Sequence, residues 1–272
     1  MKIGDLVVEP VFDGVMNVPA TAFKGTTDEV WAPHRQFLDP DGRLEFALGG
    51  FLVRAPGGRL VLVDAGIGAR SGPSMSGSGH FTGGELLNSL AKQQVQPSDI
   101  TDVVFTHLHF DHVGWASHEG AIVFPSAAYR CDGRDWEHFR DNERTKSILA
   151  PIEDRLTTWD GSDPLVPGID LMSAPGHTPG STIIVLSSGT SRGLLLGDVV
   201  HCPVELVDDE WAGLGDVDPE LARRTKNALA REIEGTDTPV AAAHFPGMVF
   251  GRLLSANGRR SWVVDQVLSR ES

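Results

Sequence analysis

Five apolar segments of this chain each end at a histidine or an aspartate. In chain order they are LVLV at 60–63 before Asp64, DVVFT at 102–106 before His107, the segment 169–172 before the turn to His177, LLLG at 194–197 before Asp198, and VAAA at 240–243 before His244. Short apolar runs bounded by turn residues are typical of buried strands. If these strands lie in layers, their polar ends collect along one edge, which is a rigid place to build a site.

The segments between these runs predict helices that cover the sheets. Strands come in blocks with helices between and after them, which favours an α/β fold of two comparable halves, about 1–130 and 160–272. A charged stretch at about 132–158 has apolar residues at helical spacing and predicts a helical insertion. An amphipathic helix is expected from Pro219 to Glu234, capped by Asp218. The length suits a single domain spanning 1–272.

Composition narrows the classes of partner and of site. The net charge of -14 opposes contact with nucleic-acid phosphates and with anionic membrane surfaces. The two cysteines form no Cys-x-x-Cys pair, which disfavours both a disulfide framework and a thiolate zinc site. The first residues lack the apolar core of a signal peptide, and no run approaches the roughly 20 apolar residues of a membrane span. We therefore expect a soluble, cytoplasmic protein without a nucleic-acid or membrane partner.

The segment THLHFDH at 106–112 places metal-binding side chains directly after a predicted strand. His107, His109, Asp111 and His112 fall within six positions, which is a strong spacing signal for a metal site. Imidazole and carboxylate without thiolate suit zinc, manganese or iron. Two such ions about 3.5–4 Å apart can share a carboxylate and activate water at neutral pH. The cluster is large enough to serve two ions.

These motifs together resemble the metallo-β-lactamase fold superfamily. THLHFDH resembles its H-x-H-x-D-H motif, and the other family motifs follow in order as PGHTPG around His177, Gly197-Asp198 and Ala243-His244. VDAG at 63–66 resembles the early Asp-x-Gly turn of the family. The resemblance implies a four-layer αβ/βα sandwich of two mixed β-sheets flanked by helices. GDVVH at 197–201 and HFPG at 244–247 look closest to the branch of methyl parathion hydrolase and lactonases.

The resemblance also implies the site residues. His107, His109 and His177 would hold one divalent ion, Asp111, His112 and His244 would hold a second, and Asp198 would bridge both. Asp64 would orient a ligand histidine by a hydrogen bond. Zinc is the favoured metal, with manganese and iron as alternatives. Asp111, Asp198 and His201 are the candidate catalytic residues.

The implied activity is hydrolysis of a small lactone or ester. A hydroxide bridging the metals would attack the carbonyl carbon, the second metal with His201 would stabilise the oxyanion, and Asp111 or metal-bound water would protonate the leaving alkoxide. For His201, a position near the site without a catalytic role is an equal alternative. Phosphotriester, thioester and β-lactam hydrolysis remain open on the same site. A di-iron redox protein and a non-catalytic metal-binding protein are the alternatives from other classes.

Two irregular segments, 20–43 and 66–84, are expected to shape the pocket or the contact of a homodimer. Trp31, Phe37, Phe81 and Trp211 lie in loops, where they either line an apolar pocket or anchor the core, and the sequence favours anchors. Cys202 shows no activating neighbour and is a poor candidate nucleophile.

Overall fold

The computed structural model describes residues 1–73, 79–160 and 165–265. The strands are β1 Lys2–Ile3, β2 Leu6–Pro19, β3 Arg43–Ala55, β4 Arg59–Val63, β5 Ser71–Pro73, β6 His80–Thr82, β7 Asp102–Val104, β8 Ser117–His118, β9 Ala121–Ile122, β10 Ala128–Asp132, β11 Leu156–Trp159, β12 Ile169–Ser173, β13 Thr182–Ser188, β14 Ser191–Leu195, β15 Val240–Ala241, β16 Gly251–Ala256 and β17 Arg259–Val264. The helices are α1 Asp28–Trp31, α2 Leu86–Lys92, α3 Phe110–Val113, α4 Gly133–Phe139, α5 Lys146–Leu149, α6 Val204–Val207 and α7 Pro219–Ile233.

The strands form two mixed sheets. The first has the order β11-β10-β7-β4-β3-β2-β6-β5, with β1 paired to β2. The second has the order β12-β13-β14-β15-β16-β17, and β8 with β9 forms a separate hairpin. In the first sheet β4, β7, β10 and β11 run parallel, whereas β2, β3 and β4 pair antiparallel. Parallel strands are covered on both faces, which explains their continuous apolar runs.

Three apolar cores lie between four layers. The two sheets pack face to face through side chains such as Phe51 and Ile184. Helices α2, α4 and α5 cover the outer face of the first sheet, with Leu90 and Leu149 in that core. Helix α7 covers the outer face of the second sheet through residues such as Leu229. The predicted αβ/βα sandwich is therefore confirmed.

Helix α7 forms where the sequence predicts it. It spans Pro219–Ile233, and the Asp218 carboxylate accepts a hydrogen bond from the Leu221 amide at 3.0 Å. This bond satisfies one of the amide groups left free at a helix start. Proline in the first turn costs no hydrogen bond there.

The stretch 132–158 differs from the predicted helical insertion at its end. It begins with α4 and α5, but residues Leu156–Trp159 form β11, which pairs in parallel with β10 at the edge of the first sheet. The prediction of helix over 156–158 is wrong because threonine and tryptophan suit an edge strand. Strand β10 itself was missed. It follows the short apolar run AIVF at 121–124, of which only Ala121–Ile122 form a strand, β9.

The two irregular segments join the fold in different ways. Segment 20–43 contains α1 and packs Phe23 and Trp31 into a fourth apolar cluster at one end of the sheets. In segment 66–84, β5 and β6 pair with each other and extend the first sheet beyond β2. Residues 74–78 of that segment lie outside the described residues.

A buried aspartate fixes the loops next to the predicted site. Asp13 lies at a bulge of β2 between Phe12 and Gly14 and is fully buried. Its carboxylate accepts hydrogen bonds from five donors: the amides of Ile67 at 2.7 Å, Gly68 at 2.9 Å, Gly84 at 3.0 Å and Leu86 at 2.9 Å, and the Trp115 indole at 2.8 Å. Gly66 has a φ of +56°, and a Cβ there would lie 2.5 Å from Asp13 Oδ2. The Asp-x-Gly turn therefore requires glycine because the Asp13 carboxylate sits against it.

Candidate metal centre

The polar residues that end the apolar runs meet where the two sheets face each other. They are Asp64 after β4, His107 after β7, His177 after β12, Asp198 after β14 and His244 after β15. Beside them, the Thr182 amide of β13 donates to the Thr106 carbonyl at 2.9 Å, which joins the second sheet to the turn after β7. The predicted convergence of strand ends is therefore present.

The first cluster comprises His107, His109, His177 and Asp198. Nδ1 of His109 lies 3.1 Å from Nε2 of His107 and 3.0 Å from Nε2 of His177. Asp198 Oδ2 lies 3.7 Å and 3.5 Å from the same two Nε2 atoms. Three imidazole nitrogens and one carboxylate oxygen thus surround one point, which is a donor set and number that zinc accepts.

The second cluster comprises Asp111, His112 and His244. Asp198 reaches it from the first cluster, because its Oδ1 lies 3.1 Å from His112 Nε2 and its Oδ2 lies 3.2 Å from His244 Nε2. Asp111 Oδ2 lies 3.6 Å from His244 Nε2. Asp198 therefore stands between the two clusters, as a carboxylate shared by two ions would.

The outer nitrogens of the histidines are held by acceptors. Nδ1 of His112 lies 2.9 Å from Asp64 Oδ2, and Nδ1 of His244 lies 2.9 Å from the Ala47 carbonyl. Nδ1 of His177 lies 3.0 Å from Asp216 Oδ1. Since carboxylates and carbonyls only accept, these Nδ1 atoms carry the proton and each Nε2 is left with a lone pair toward the centre.

Asp64 supports His107 as well as His112. Nδ1 of His107 lies 3.1 Å from Thr106 Oγ1, and that hydroxyl donates to Asp64 Oδ2 at 2.8 Å. Asp64 Oδ1 also accepts the Thr106 amide at 2.8 Å, with the backbone of Asp64 at a φ of +60°. The expected orienting role of Asp64 is present, and it reaches one histidine of each cluster.

The charges of the buried groups depend on one another. Burial alone would raise the pKa of Asp198, but the imidazoles of His112, His244 and His107 hold it well below its usual range. Burial, reinforced by the neighbouring His177, lowers the pKa of His109 to about 3. The Asp198 carboxylate is thus ionised and the His109 imidazole neutral, which are the protonation states in which these groups bind metal.

Two atoms of this centre have no assigned hydrogen-bond partner among the residues that the structure describes. His112 Nε2 and Asp198 Oδ1 are both buried and lie 3.1 Å apart. Two buried acceptors that face each other are costly unless a donor or a cation lies between them. The residues present therefore fit two divalent cations.

His201 lies next to the centre and faces the cavity. Its Nε2 is 3.4 Å from Asp198 Oδ2, and its ring stacks parallel to that of His244 at 5.9 Å. The Glu205 carboxylate accepts the amides of His201 and Cys202 at 2.8 and 2.9 Å, which fixes this turn. Burial alone would lower the pKa of His201, but Asp198 and Glu205 outweigh it and raise the pKa to about 9.

A cavity of about 330 Å³ opens over the two clusters. Its floor contains the polar residues His109, Asp111, His177, Asp198, His201 and His244. Its walls are mainly apolar and comprise Met16, Val18, Ala22, Phe110, Leu214 and Gly215. An apolar cavity with polar groups converging at its base is the usual form of a small-molecule site.

None of the four aromatic residues predicted in loops lines this cavity, and three of them anchor the fold. Trp31 and Trp211 are buried with ring centroids 4.6 Å apart, and Phe37 packs partly buried against the same cluster. Phe81 lies against Phe110 in a neighbouring depression. Tyr129 is in the core, where its hydroxyl donates to the Ala116 carbonyl. Burial raises the pKa of the Cys202 thiol, consistent with an inert cysteine.

Sequence reasoning missed the carboxylates that support the centre. Asp216 holds His177, although 39 residues separate them in the chain. Asp216 lies on the segment 208–217, which also supplies Leu214 to the cavity wall. The ammonium group of Lys226 on α7 donates a hydrogen bond to the Trp211 carbonyl and so holds this segment to the helix. Asp13 did carry a signal, because a carboxylate inside the apolar run of a strand is unusual.

Comparison with known protein families shows which family this sequence matches. Residues 50–244 match the metallo-beta-lactamase superfamily. The chain belongs to this superfamily. N-acyl homoserine lactonase AiiA of Bacillus thuringiensis subsp. kurstaki is 29% identical over 189 residues, which cover 63% of this chain and 72% of AiiA. Metallo-beta-lactamase domain-containing protein 1 of Xenopus laevis is 29% identical over 183 residues, which cover 64% of this chain and 70% of that protein.

Solved structures of the superfamily share the fold over nearly the whole chain. The dizinc quorum-quenching lactonase AidC, in complex with a product, superposes with a TM-score of 0.85 at 23% identity, covering 98% of this chain and 96% of AidC. The hydrolase AbOPH superposes with a TM-score of 0.84 at 24% identity and the same coverage. The family and its relatives confirm the predicted enzyme class, a metal-dependent hydrolase. The narrower resemblance to methyl parathion hydrolase stays a prediction.

Within the described residues, no helix combines the length and the apolar character that crossing a bilayer requires.

Proposed function

We propose that this superfamily member is a two-metal hydrolase of small lactones, with zinc as the metal. The observation that carries the proposal is the geometry of the two clusters, in which seven ligand-type side chains converge and Asp198 lies between them. In this proposal His107, His109 and His177 bind the first ion, Asp111, His112 and His244 bind the second, and Asp198 binds both. The dizinc relative AidC supports the choice of zinc.

Two bound ions would supply an activated water molecule and electrophilic stabilisation at neutral pH. The chain supplies the remaining functions. His201 faces the cavity floor from the side of Asp198, where its ring can donate a hydrogen bond to the carbonyl oxygen of a substrate as negative charge develops. Asp111 also faces the cavity, where its carboxylate would take the proton released by the attacking water and pass it to the leaving alkoxide.

The choice of lactones over other substrates rests on the relatives and on the cavity. AiiA is named an N-acyl homoserine lactonase, and AidC is described with an N-acyl homoserine product. The walls formed by Met16, Val18 and Leu214 are apolar, which suits an uncharged ester with an apolar substituent. N-acyl homoserine lactones are therefore the first substrates to test.

The proposal is tested by acid release in a pH-stat with zinc-loaded protein. The panel contains N-acyl homoserine lactones, simple lactones, aryl esters, phosphotriesters and glutathione thioesters. We expect the highest kcat/KM with lactones. A higher kcat/KM with phosphotriesters or thioesters would move the assignment to that class, and a doubly metallated protein that is inert to the whole panel would favour a binding role.

Replacing His201 with phenylalanine tests its part in the reaction. Phenylalanine keeps a ring against His244 and Phe46 but removes the donor. We expect kcat for the lactone to fall by about 10²-fold, as for loss of one oxyanion donor. Metal content by elemental analysis should stay at two ions per chain, with little change in KM. Unchanged kcat would leave His201 without a catalytic role.

Removal of the metal is expected to lower stability. The clusters bury His112 Nε2 and Asp198 Oδ1 without partners, so ions that bind only the folded chain shift the folding equilibrium. At a thousandfold excess over Kd, one ion contributes about 4 kcal/mol. Thermal unfolding of chelator-treated protein should occur at a lower temperature, and added zinc should restore it. Identical melting curves would contradict metal binding at this site.

A further inference from the structure

We propose that Asp135 is a positioning residue for the first cluster. It would tie together the two turns that carry His107, His109 and His177, and so set the affinity of this cluster for its ion. The inference rests on the proposed two-metal function. Asp135 lies on α4, in a stretch for which the sequence pattern predicts a helical insertion and no part of the site.

The contacts of Asp135 reach both turns. Oδ2 accepts the Leu108 amide at 3.0 Å, and Leu108 stands between His107 and His109. Oδ1 accepts the Gly180 amide at 2.6 Å, and the Thr178 hydroxyl donates to Oδ2 at 3.0 Å. One fully buried carboxylate therefore joins the turn after β7 to the turn after β12.

The packing of α4 supports the same assignment. Phe139 lies four residues after Asp135 and so on the same face of the helix. Its ring meets the His109 ring edge to face, with centroids 5.2 Å apart. A Cβ on Gly180 would lie 2.8 Å from the Asp135 amide nitrogen, so the turn after His177 rests directly on the start of α4. One helix face thus contacts a ligand ring and both ligand turns.

The substitution Asp135→Asn separates the effect of the lost hydrogen bond from any effect of side-chain size. It keeps the size of the side chain but replaces one acceptor oxygen by an NH₂ group, which then faces a donor from one of the two turns. The second cluster has no contact with Asp135 among the hydrogen bonds of the described residues. The effect on metal binding should therefore be confined to the first cluster.

The experiment is a zinc titration of Asp135→Asn against a competing chelator, with cadmium NMR to resolve the two sites. We expect the affinity of one site to fall by about 10- to 100-fold, the range typical of partners behind metal ligands. The cadmium resonance of that site should shift or broaden while the other is retained. Equal affinity in variant and wild type would overturn the inference.

Asp132→Asn is the matched control. Asp132 is buried at the start of the same helix and its side chain also packs against Gly180, but its carboxylate accepts hydrogen bonds from the amide and side chain of Arg134 and from neither ligand turn. It should lower the melting temperature without a site-selective loss of metal. The same metal loss in both variants would reduce Asp135 to a general stabiliser of α4 and overturn the inference.

A milder substitution tests the same inference if the Asp135→Asn variant does not fold. Thr178→Val removes one of the three donors and keeps the side-chain shape, so we expect a smaller loss of affinity at the same site. Unchanged affinity there would count against the inference. The titration needs no substrate. Two ions on a wild type that hydrolyses no lactone would therefore defeat the proposed function alone.

Discussion

Replacing Asp198 with alanine is expected to abolish lactone hydrolysis and metal binding together. Asp198 lies within 3.1–3.7 Å of imidazole nitrogens from both clusters, so its loss removes the one carboxylate that the two clusters share. The five histidines of the two clusters would then face one another without the carboxylate that links them. We expect kcat/KM to fall by at least about a thousandfold, which corresponds to about 4 kcal/mol of transition-state stabilisation.

The measurement is kcat/KM for the lactone together with metal content by elemental analysis. Asp170→Ala is the control, because Asp170 lies on β12 of the same sheet and away from the cavity. It should retain two ions and full activity. A fully active Asp198→Ala variant would refute the two-metal scheme as a whole.

Replacing Asp13 with alanine is expected to destabilise the fold by about 4 kcal/mol or more. The substitution leaves four buried donors and the partly buried Gly84 amide without their acceptor, and each unsatisfied buried donor costs about 1–3 kcal/mol, less where water enters the space. The donors lie on three separate segments, so the loops on either side of β2 should loosen together. Equilibrium unfolding in denaturant measures the change in free energy.

Asp5→Ala is the matched control for Asp13. Asp5 is exposed just before β2, and its carboxylate meets only the Ser188 hydroxyl at 3.3 Å among the side-chain hydrogen bonds of the described residues. Its loss should change the free energy of unfolding by no more than about 0.5 kcal/mol. An equally small effect of Asp13→Ala would mean that water replaces the carboxylate without cost.

The candidate metal-binding residues could be predicted from the sequence because the pattern that identifies them lies within short segments of the chain. His107, His109, Asp111 and His112 are crowded into one turn, and the other three ligand-type residues each follow an apolar run. The layered arrangement of sheets and helices could be predicted for a related reason, since apolar periodicity indicates which face of a helix or strand is buried.

The supporting carboxylates were not accessible because their partners are distant in the chain. Asp135 lies 45 residues before Gly180, and Asp13 lies 102 residues before Trp115. An aspartate in a charged helix looks like any solvated surface residue until its partners are placed in space. Strand β11 could not be predicted for a similar reason. Its residues form a strand by pairing with the edge of β10, which is not apparent from the local sequence.

The segment 208–217 has a consequence for how this enzyme could change its substrate range. Leu214 forms part of the cavity wall, and two residues later Asp216 holds His177. Insertions here would alter selectivity and disturb a proposed metal ligand at once, so most would be lost to selection. The part of the wall formed by Met16, Val18 and Ala22 contributes no residue to either cluster. Mutations that adapt the enzyme to new substrates should therefore accumulate on that side, where they change the cavity wall without disturbing the support of His177.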